Sequence, residues 1–495
     1  MRITSSMMTN NMMMNVNRNM RNLDTLWQQF STGSRIQVPS DNPLIAARAM
    51  KFRNNMVANE NFQNNVEHAL AWMDVTEASM DNMLQVLMLE IRDTIHRASN
   101  DYLGLDGRQT LATSLRNMKA QMKIDMNTQF AGRYIFSGLR TDQPPLFTQD
   151  QPDLEVRITQ SFNLSDIERI RSLQIFPPVP GNNINMPITH DVPILKLAYR
   201  GEGVDIPTLT ASMAANGFAL AVRSSLDPSV DAYEMPAPGH VVFIRETGEL
   251  IFNITDVTGA NATTNFPMDI TYEVRGFREG ELNPLVYFDS VLLDAPADHS
   301  FHHLLSQPEA SRTFNMNNQN LIYEFSTHTT IPVNTLAKNV LTDKLFADLQ
   351  RLIDFIEGIR ETDPAIIRAA YEAPPSNLSG AALDEAVARH SSDETLLINN
   401  AINQRLNSML FLIDRHSTAI RREYTDIGSR GRRLELFQNR LEQDEGSLYR
   451  LMSHNEDSDL ARLATLMSSA EAAYMASIRV GNSIINVTLA NFLQV

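Results

Sequence analysis

The sequence contains no cysteine. This absence excludes disulfide bonds, thiolate metal sites and cysteine nucleophiles together. It also suits a chain that travels unfolded through an export channel, because such a chain cannot cross-link on the way. Disulfide bonds and thiol chemistry therefore play no part in the functions considered below.

Long apolar runs are missing as well. Charged or amide residues recur throughout, so no stretch offers the roughly 20 apolar residues that a membrane helix needs. At the start of the chain, asparagines interrupt every apolar stretch, which excludes a cleaved Sec signal; they are Asn10, Asn11, Asn15, Asn17 and Asn19. We expect a protein that is soluble or exported whole, without membrane insertion.

An excess of basic residues is also lacking, because the net charge is -16 and the pI is near 5.2. Proteins bind the phosphate backbone through Lys and Arg, so nucleic acid is a poor partner for this chain. Residues 1–140 carry 15 basic and 12 acidic side chains, so the acidity lies in the remainder. We interpret that remainder as well-solvated surface.

Motifs that carry catalysis or hold a cofactor are absent. We find no nucleophile elbow, Walker loop, dinucleotide fingerprint or zinc-protease helix, so the sequence predicts neither an enzyme nor a cofactor. The segment DHSFHH places metal-binding side chains at Asp298, His299, His302 and His303. Since no further ligand follows at a defined spacing, an ordinary polar loop without metal is favoured.

Two long segments repeat apolar residues at alternating steps of four and three, from Ile45 to Ala98 and from Ile402 to Leu451. Such a 3.5-residue repeat predicts coiled-coil helices. The first begins at PSDNP, where Asp41 or Asn42 can cap it, and ends near LGLDG. We expect both to pack together as a rod, completed by a helix near 108–130. The predicted rod core is Phe52, Met56, Leu70, Leu84, Ile91, Met409, Ile413, Leu434 and Leu441.

Several polar residues fall on these stripes. Glu77, Glu423, Arg430 and Asp444 are expected to pair between helices or to reach solvent, which sets the register at some cost in stability. His416 is expected to be a packed, hydrogen-bonded histidine.

The middle of the chain, residues 141–335, differs from the helical segments in composition and pattern. Prolines and glycines separate short β-branched or aromatic runs, which predicts strands in ITYEV, LVYFDSVLL and LIYEFS. In VVFIRETGELIFNI we expect a hairpin that turns at Thr247 and Gly248. A helix over LFADLQRLIDFIEGIR leads back to the rod. The predicted fold class is therefore α+β: a long helical coiled-coil rod formed by the N- and C-terminal segments, with an inserted β-rich domain.

The two ends of the chain share one composition. Both mix apolar side chains with Asn, Ser, Thr and Ala and carry few charges. We predict that both make contacts between subunits, because flexible methionines can fill irregular gaps and asparagines keep a lone segment in solution. The predicted assembly residues are Met7, Met8, Met12, Met13, Leu23, Leu26, Leu463, Met467, Tyr474, Ile478, Ile484, Leu489 and Phe492.

Four segments give the chain a family resemblance: STGSRIQVPSDNPLIAARAM, GRYIFSG, DIGSRGRRLELFQNRLE, and the stretch from EDSDLARLATLM to NVTLANFL. Together they resemble the bacterial flagellin superfamily over roughly residues 1–140 and 400–495. Within it, MRITSSMM and AARAM most resemble the hook-filament junction proteins. The chain has Asp41 and Asn42 where members often have two aspartates, and GSRGR where they have GARQN-like sequences.

This resemblance implies an arrangement of domains. It implies terminal helices at 1–40 and 455–495 that line the inner tube and are disordered in the monomer. It further implies a helical rod at 41–140 and 336–454, and an outer β-rich region at 141–335.

The implied function is a junction adaptor that joins hook-side proteins to the filament of the bacterial flagellum. The implied partners are other copies of itself, the hook-side junction protein, flagellin, an export chaperone and the type III export apparatus. The implied location is extracellular, on the flagellum, reached without a cleaved signal peptide. Two alternatives stay open: flagellin itself, which shares most of these segments, and a cytoplasmic coiled-coil scaffold.

Overall fold

The computed structural model describes residues 5–100, 105–174, 188–201, 203–205, 207–209, 218–225, 232–258, 267–297, 299–358, 363–374 and 376–492. The chain divides into two compact units. The terminal unit comprises the residues up to His68, Glu324–Thr330 and the residues from Arg433 onward. The central unit comprises Ala69–Tyr323 and Ile331–Arg432.

Helices dominate both ends of the sequence. They are α1 Ser5–Thr32, α2 Pro43–Gln85, α3 Arg92–Asn100, α4 Leu105–Met126, α5 Pro284–Tyr287, α6 Ala337–Val340, α7 Asp343–Gly358, α8 Pro364–Glu372, α9 Gly380–Glu456 and α10 Leu460–Phe492. A π-helical turn, Val86–Ile91, joins α2 to α3. The predicted helices near 108–130 and over 345–360 are α4 and α7. No helix of the described residues has the length and hydropathy required to cross a membrane.

Strands occupy the middle of the sequence. They are β1 Gln129–Phe130, β2 Arg133–Tyr134, β3 Gln151–Phe162, β4 Glu168–Gln174, β5 Ile188–Lys196, β6 Thr208–Leu209, β7 Ala219–Arg223, β8 His240–Ile244, β9 Glu249–Phe252, β10 Met268–Phe277, β11 Asp289–Asp294, β12 Thr313–Phe314, β13 Ile322–Ser326 and β14 Thr329–Pro332. One five-stranded sheet has the order β12-β11-β3-β10-β6 and another β4-β5-β9-β8-β7. The described strands of the second sheet pair antiparallel except β7 with β8. The predicted α+β class is confirmed.

The predicted hairpin at Thr247 and Gly248 is confirmed, because β8 and β9 pair antiparallel across it. Gly248 has φ +65°, and a Cβ there would lie 2.4 Å from the carbonyl oxygen of Tyr199. Only glycine fits such a turn without strain.

The predicted strand in LVYFDSVLL is wrong in its first half. Pro284–Tyr287 forms the short helix α5, and only Asp289–Asp294 is a strand. Asn283 caps this helix, since its Oδ1 accepts a hydrogen bond from the Leu285 amide at 3.1 Å. The pair Asn283-Pro284 is an N-cap followed by a proline at the first helical position, a signal that outweighs the β-branched run.

The core of the central unit follows the predicted heptads with one change of phase. Four predicted core positions of this stripe are at most 2% exposed: Val66, which still belongs to the terminal unit, and Met73, Met80 and Leu87 of the central unit. Between them the most buried residues are Ala69, Thr76 and Met83, whereas the predicted Leu70, Glu77 and Leu84 are half-buried. Positions three and four residues after a core residue both lie beside it, so spacing alone does not distinguish them.

The remaining predicted core positions are partly or fully covered. Ile91, Met409, Ile413, Leu434 and Leu441 are buried. Phe52 and Met56 of the terminal unit are half-buried. In that unit α2 and α9 are also joined by polar contacts: Asn59 Nδ2 donates to the Leu441 carbonyl at 3.0 Å, and Gln63 Nε2 donates to the Glu445 carboxylate at 2.9 Å.

The polar residues predicted on the stripes make specific contacts. In the central unit Glu423 is buried and accepts a hydrogen bond from Thr335 Oγ1 at 2.8 Å. Arg430 donates to the carbonyl oxygens of Pro332 and Asn334 at 3.3 and 3.1 Å. Glu77 accepts a hydrogen bond from the Tyr424 hydroxyl, which raises the pKa of Tyr424. In the terminal unit Asp444 lies 3.8 Å from Arg440, one turn earlier on α9.

His416 is 1% exposed and packed, as predicted. Its Nδ1 lies 2.6 Å from Thr342 Oγ1, and its Nε2 lies 3.6 Å from Asp348 Oδ2. Asp348 in turn accepts a hydrogen bond from Lys196 Nζ at 2.8 Å. These residues belong to a cluster of buried and half-buried ionisable side chains, which we call the ionic cluster: Glu168, Lys196, Asp348, Arg351 and His416.

Candidate assembly surface on the terminal helices

The two terminal helices pack against each other in the terminal unit. The Ser458 amide donates to the Gly33 carbonyl at 2.8 Å, and the Arg35 amide donates to the Glu456 carbonyl at 2.7 Å. Met12 of α1 lies against Gly481 of α10. Because the end of α1 meets the start of α10, and the start of α1 meets the later part of α10, the pair is antiparallel.

Each helix contributes one narrow stripe to this pairing. The half-buried residues of α1 are spaced by three and four; from Thr9 to Leu26 they are Thr9, Met12, Val16, Asn19, Leu23 and Leu26. The covered residues of α10 have the same spacing; up to Gly481 they are Leu463, Met467, Ala470, Tyr474, Ser477 and Gly481. This is the seam of a two-helix coiled coil. Such a seam covers only one face of each helix.

Gly481 sets the closeness of this pair at one end. A Cβ at this position would lie 2.4 Å from Met12 Cε and 2.9 Å from Met12 Sδ. Any larger side chain would therefore push the methionine aside. Glycine costs helix stability in a helix interior, so its presence here is explained by the close approach of α1.

The faces that point away from the seam carry exposed apolar side chains. On α1 they are Met7, Met8, Met13, Met14, Met20, Trp27 and Phe30, and on α10 they are Leu460, Leu466, Met475, Ile478 and Val480. Met14 is 61% exposed and Trp27 55%. Contiguous exposed apolar surface on a folded protein marks an interaction site. We call these residues the outward apolar face.

Charge is scarce on both helices. α1 has only Arg18, Arg21 and Asp24, and α10 from Leu460 onward has only Arg462, Glu471 and Arg479. Exposed asparagines occupy many of the remaining positions of α1, among them Asn10, Asn11 and Asn15. Their amides can form hydrogen bonds across a packed interface without the desolvation cost of burying a charge. The outward apolar face is thus suited to being covered.

The predicted assembly residues fall into two groups. Met7, Met8, Met13 and Ile478 belong to the outward apolar face, whereas Met12, Leu23, Leu26, Met467 and Tyr474 lie half-buried in the seam and Leu463 is buried there. Ile484, Leu489 and Phe492 lie in α10, beyond the residues whose side chains the structure describes. The predicted assembly residues did not include Met14, Met20, Trp27, Phe30, Leu460, Leu466, Met475 and Val480. The heptad phase of α1 was the available signal, because it separates seam from outward positions.

The turn between α1 and α2 is fixed by two adjacent side chains. Asp41 accepts hydrogen bonds from the backbone amides of Gln37 and Val38 at 3.0 and 3.1 Å, and these bonds lower the pKa of its carboxyl. Asn42 Oδ1 accepts from the amides of Leu44 and Ile45 at 3.2 Å, so Asn42 is the N-cap of α2. At α10 the same role falls to Asp459, which accepts from the amides of Ala461 and Arg462.

A family comparison covers the first part of this surface. The model of the bacterial flagellin N-terminal helical region matches residues 3–141. This segment is similar to the N-terminal helical region of bacterial flagellins. The resemblance to the bacterial flagellin superfamily is therefore confirmed, and α1, α2 and α4 belong to the matched region.

Two curated relatives match part of the chain. Flagellar hook-associated protein 3 of Salmonella typhimurium is 31% identical over 151 residues, which are 29% of this chain and 46% of the relative. Flagellar hook-associated protein 3 of Escherichia coli is 29% identical over 147 residues, again 29% and 46% of the two chains. The chain thus spans about half the length of the curated relatives that it matches.

Among solved structures, the flagellar junction protein FlgL from Legionella pneumophila is similar over 79% of this chain and 99% of its own, at 13% identity. The TM-score of this comparison is 0.28.

Proposed function

We propose that this protein is a structural component of the bacterial flagellum that joins the hook-side proteins to the flagellin filament. The observation that carries the proposal is the outward apolar face of α1 and α10. A protein that stayed monomeric would leave this face in water at a cost of about 25 cal/mol for each Å² of apolar area. The likeness of part of the chain to flagellar hook-associated protein 3 supports the junction role.

The proposed mechanism is assembly without chemistry. Copies of the chain bury their outward apolar faces against one another and so line the inner tube with residues 1–40 and 455–495. The helical segments 41–140 and 336–454 form the next layer, and residues 141–335 face outward. We propose that the terminal segments are disordered in the exported monomer, because the seam between α1 and α10 is narrow and ordering a chain costs entropy. Neighbouring subunits then offset that cost.

The proposed partners follow from this role. They are other copies of the chain, a hook-side junction protein, flagellin, and before export a chaperone and the type III apparatus. A chaperone that binds an amphipathic helix in a groove would suit α10, whose outward residues include Met475, Ile478 and Val480. The proposed location is the extracellular flagellum. We assign no enzymatic activity or cofactor.

Deletion of the gene tests the proposal directly. The measurements are electron microscopy of the cell surface and an immunoblot of the culture medium for flagellin. The junction role predicts bare hooks together with abundant monomeric flagellin outside the cell, because export continues while attachment fails.

Two other outcomes would contradict the junction role. Missing filaments with no other flagellin in the medium would make this chain the filament subunit itself. Normal filaments would exclude both flagellar roles and favour a coiled-coil scaffold. A plasmid copy of the gene should restore filaments in the deletion strain and serves as the control.

A further inference from the structure

A cleft in the central unit brings basic side chains together away from the assembly surface. Its inner part, of about 160 Å³, is lined by Lys119 of α4, by Phe346 and Gln350 of α7, and by Arg200, Arg278 and Glu281 from loops that follow β5 and β10. A second cavity of about 390 Å³ shares Tyr199, Arg200, Arg278 and Glu281 with it and adds Arg275 and Asp150. The two cavities are neighbours, since these four residues line both, and we refer to them together as the groove.

The two inner cations are held on separate elements. Lys119 Nζ donates to Gln350 Oε1 at 2.7 Å and lies 5.9 Å from the centre of the Phe346 ring. The Arg200 guanidinium is paired with Asp354 of α7, whose other contact is a 2.9 Å hydrogen bond from Gln350. The neutral side chain of Gln350 thus supports both cations. Such fixed, pre-positioned donors bind a ligand at little entropic cost.

The electrostatics of Lys119 indicate that its charge is poorly compensated. Burial and, to a smaller extent, repulsion by Arg200 lower the pKa of Lys119 to about 8, although the Glu281 and Asp354 carboxylates act in the opposite direction. A strongly perturbed group beside a like charge in a cleft is typical of a binding site. An anion placed between the two cations would relieve this repulsion.

The acidic groups of the groove are already engaged by the protein. Glu281 accepts a hydrogen bond from the Arg278 amide at 2.9 Å, and burial raises the pKa of its carboxyl. Asp150 accepts from the Glu279 amide at 2.8 Å, and Glu279 pairs with Lys123. The side chains of Arg275 and Arg278 are exposed at the rim, where they raise the local concentration of anions.

We infer that this groove binds a small oxyanion, a phosphate or a carboxylate, between Lys119 and Arg200. The guanidinium fork offers paired N–H donors that match either group, and the lysine adds a point charge.

Isothermal titration calorimetry on the full-length protein tests the inference, with inorganic phosphate and citrate as probes at pH 7 and constant ionic strength set with chloride salts. We expect Lys119→Met to weaken binding roughly tenfold or more, because a charge-assisted hydrogen bond is lost. Glu281→Gln should tighten binding by removing a competing carboxylate. Lys51→Met, which removes an exposed lysine of α2, should bind as the wild type does.

The two probes also identify the ligand class, since binding of phosphate alone or of citrate alone supports the site and assigns it to phosphates or to carboxylates. No heat with either probe would overturn the inference. Equal affinity of the wild type and Lys119→Met would overturn it as well.

A second measurement keeps the test independent of whether that variant folds. At pH 8 an amine-reactive reagent should label Lys119 of the wild type, as measured by mass spectrometry of its peptide. A bound oxyanion raises the pKa of the amine and should reduce this labelling severalfold, while labelling of Lys51 stays constant. Unchanged labelling of Lys119 at saturating probe would contradict the inference.

Discussion

The terminal helix pair exposes apolar side chains to solvent, whereas the ionic cluster buries charged ones. In the terminal unit, α1 and α10 leave large apolar side chains in solvent and cover only one stripe each. In the central unit, the charges of Lys196, Asp348 and Arg351 are buried and paired with one another. The first region leaves apolar surface for a partner to cover, whereas the charges of the second have their opposite charges within the same chain. We therefore propose that assembly depends on the terminal unit and that much of the stability of the chain depends on the central unit.

The largest expected effect comes from placing a charge on the outward apolar face. Ile478 is 41% exposed, so Ile478→Asp should leave the chain folded yet abolish assembly, since each interface would bury an unpaired carboxylate. Sedimentation of assembled particles and restoration of filaments in the deletion strain measure the effect.

Leu164 of the central unit offers a matched control, because it is also 41% exposed. Leu164→Asp should assemble normally. If both variants assemble, the outward apolar face is not an interface; if both fail, the effect is not specific to the terminal helices.

A substitution in the ionic cluster should lower the free energy of unfolding, whereas Ile478→Asp should affect assembly and leave the chain folded. Burial alone would raise the pKa of Asp348, but Lys196, His416 and Arg351 outweigh it and lower that pKa. Asp348→Ala leaves Arg351 without its carboxylate partner, and breaking a buried pair costs about 3–5 kcal/mol. Urea unfolding of the central unit should show this loss. Asp93→Asn, which breaks an exposed pair with Arg97, should cost less than about 1 kcal/mol.

The lowered pKa of Asp348 also determines how stability changes with acid pH. Because the folded pKa of Asp348 lies below its unfolded value of about 3.9, its contribution is present above that pH and is lost as pH falls below it. A loss of Asp348-dependent stability between pH 7 and 5 would contradict this assignment.

Lys119 should make a smaller contribution to the pH dependence of stability, at alkaline pH. Its folded pKa, about 8, lies below the ordinary value of 10.5, so the unfolded chain binds more protons between these two values. Stability should therefore rise as pH increases from 8 toward 10.5. The comparison is the pH dependence of the unfolding midpoint in the wild type and in Lys119→Met. The rise attributable to Lys119 is the difference between them, and parallel curves would show that its pKa is ordinary.

Much of the fold was accessible from the sequence because it depends on local periodicity. The helices α2 and α9, the β8–β9 hairpin and the burial of His416 all follow from spacing or turn chemistry. Which face of α2 is buried was harder to predict from the sequence. Ala69 and Leu70 both lie beside the core stripe, and only the position of the packed neighbour determines which of them is covered. The ionic cluster could not be predicted at all, because Glu168, Lys196 and Asp348 meet only through tertiary packing.

The candidate site was predicted in composition but not in detail. Met12 and Met13 are adjacent and chemically identical, yet one faces Gly481 and the other faces solvent. A methionine-rich segment therefore predicts an assembly element without showing which methionines serve the seam. That distinction requires the partner helix.

The smallest expected effect concerns the N-cap of α2 in the terminal unit. Asn42 caps α2 just after the turn that follows α1, so Asn42→Ala should cost about 1 kcal/mol. Asn54, an exposed residue in the interior of the same helix, is the matched control. Asn54→Ala should stabilise by a few tenths of a kcal/mol, because alanine has the higher helix propensity. Urea unfolding distinguishes the two signs. If both substitutions stabilised the chain, the hydrogen bonds of Asn42 would contribute nothing, and the start of α2 would depend on packing alone.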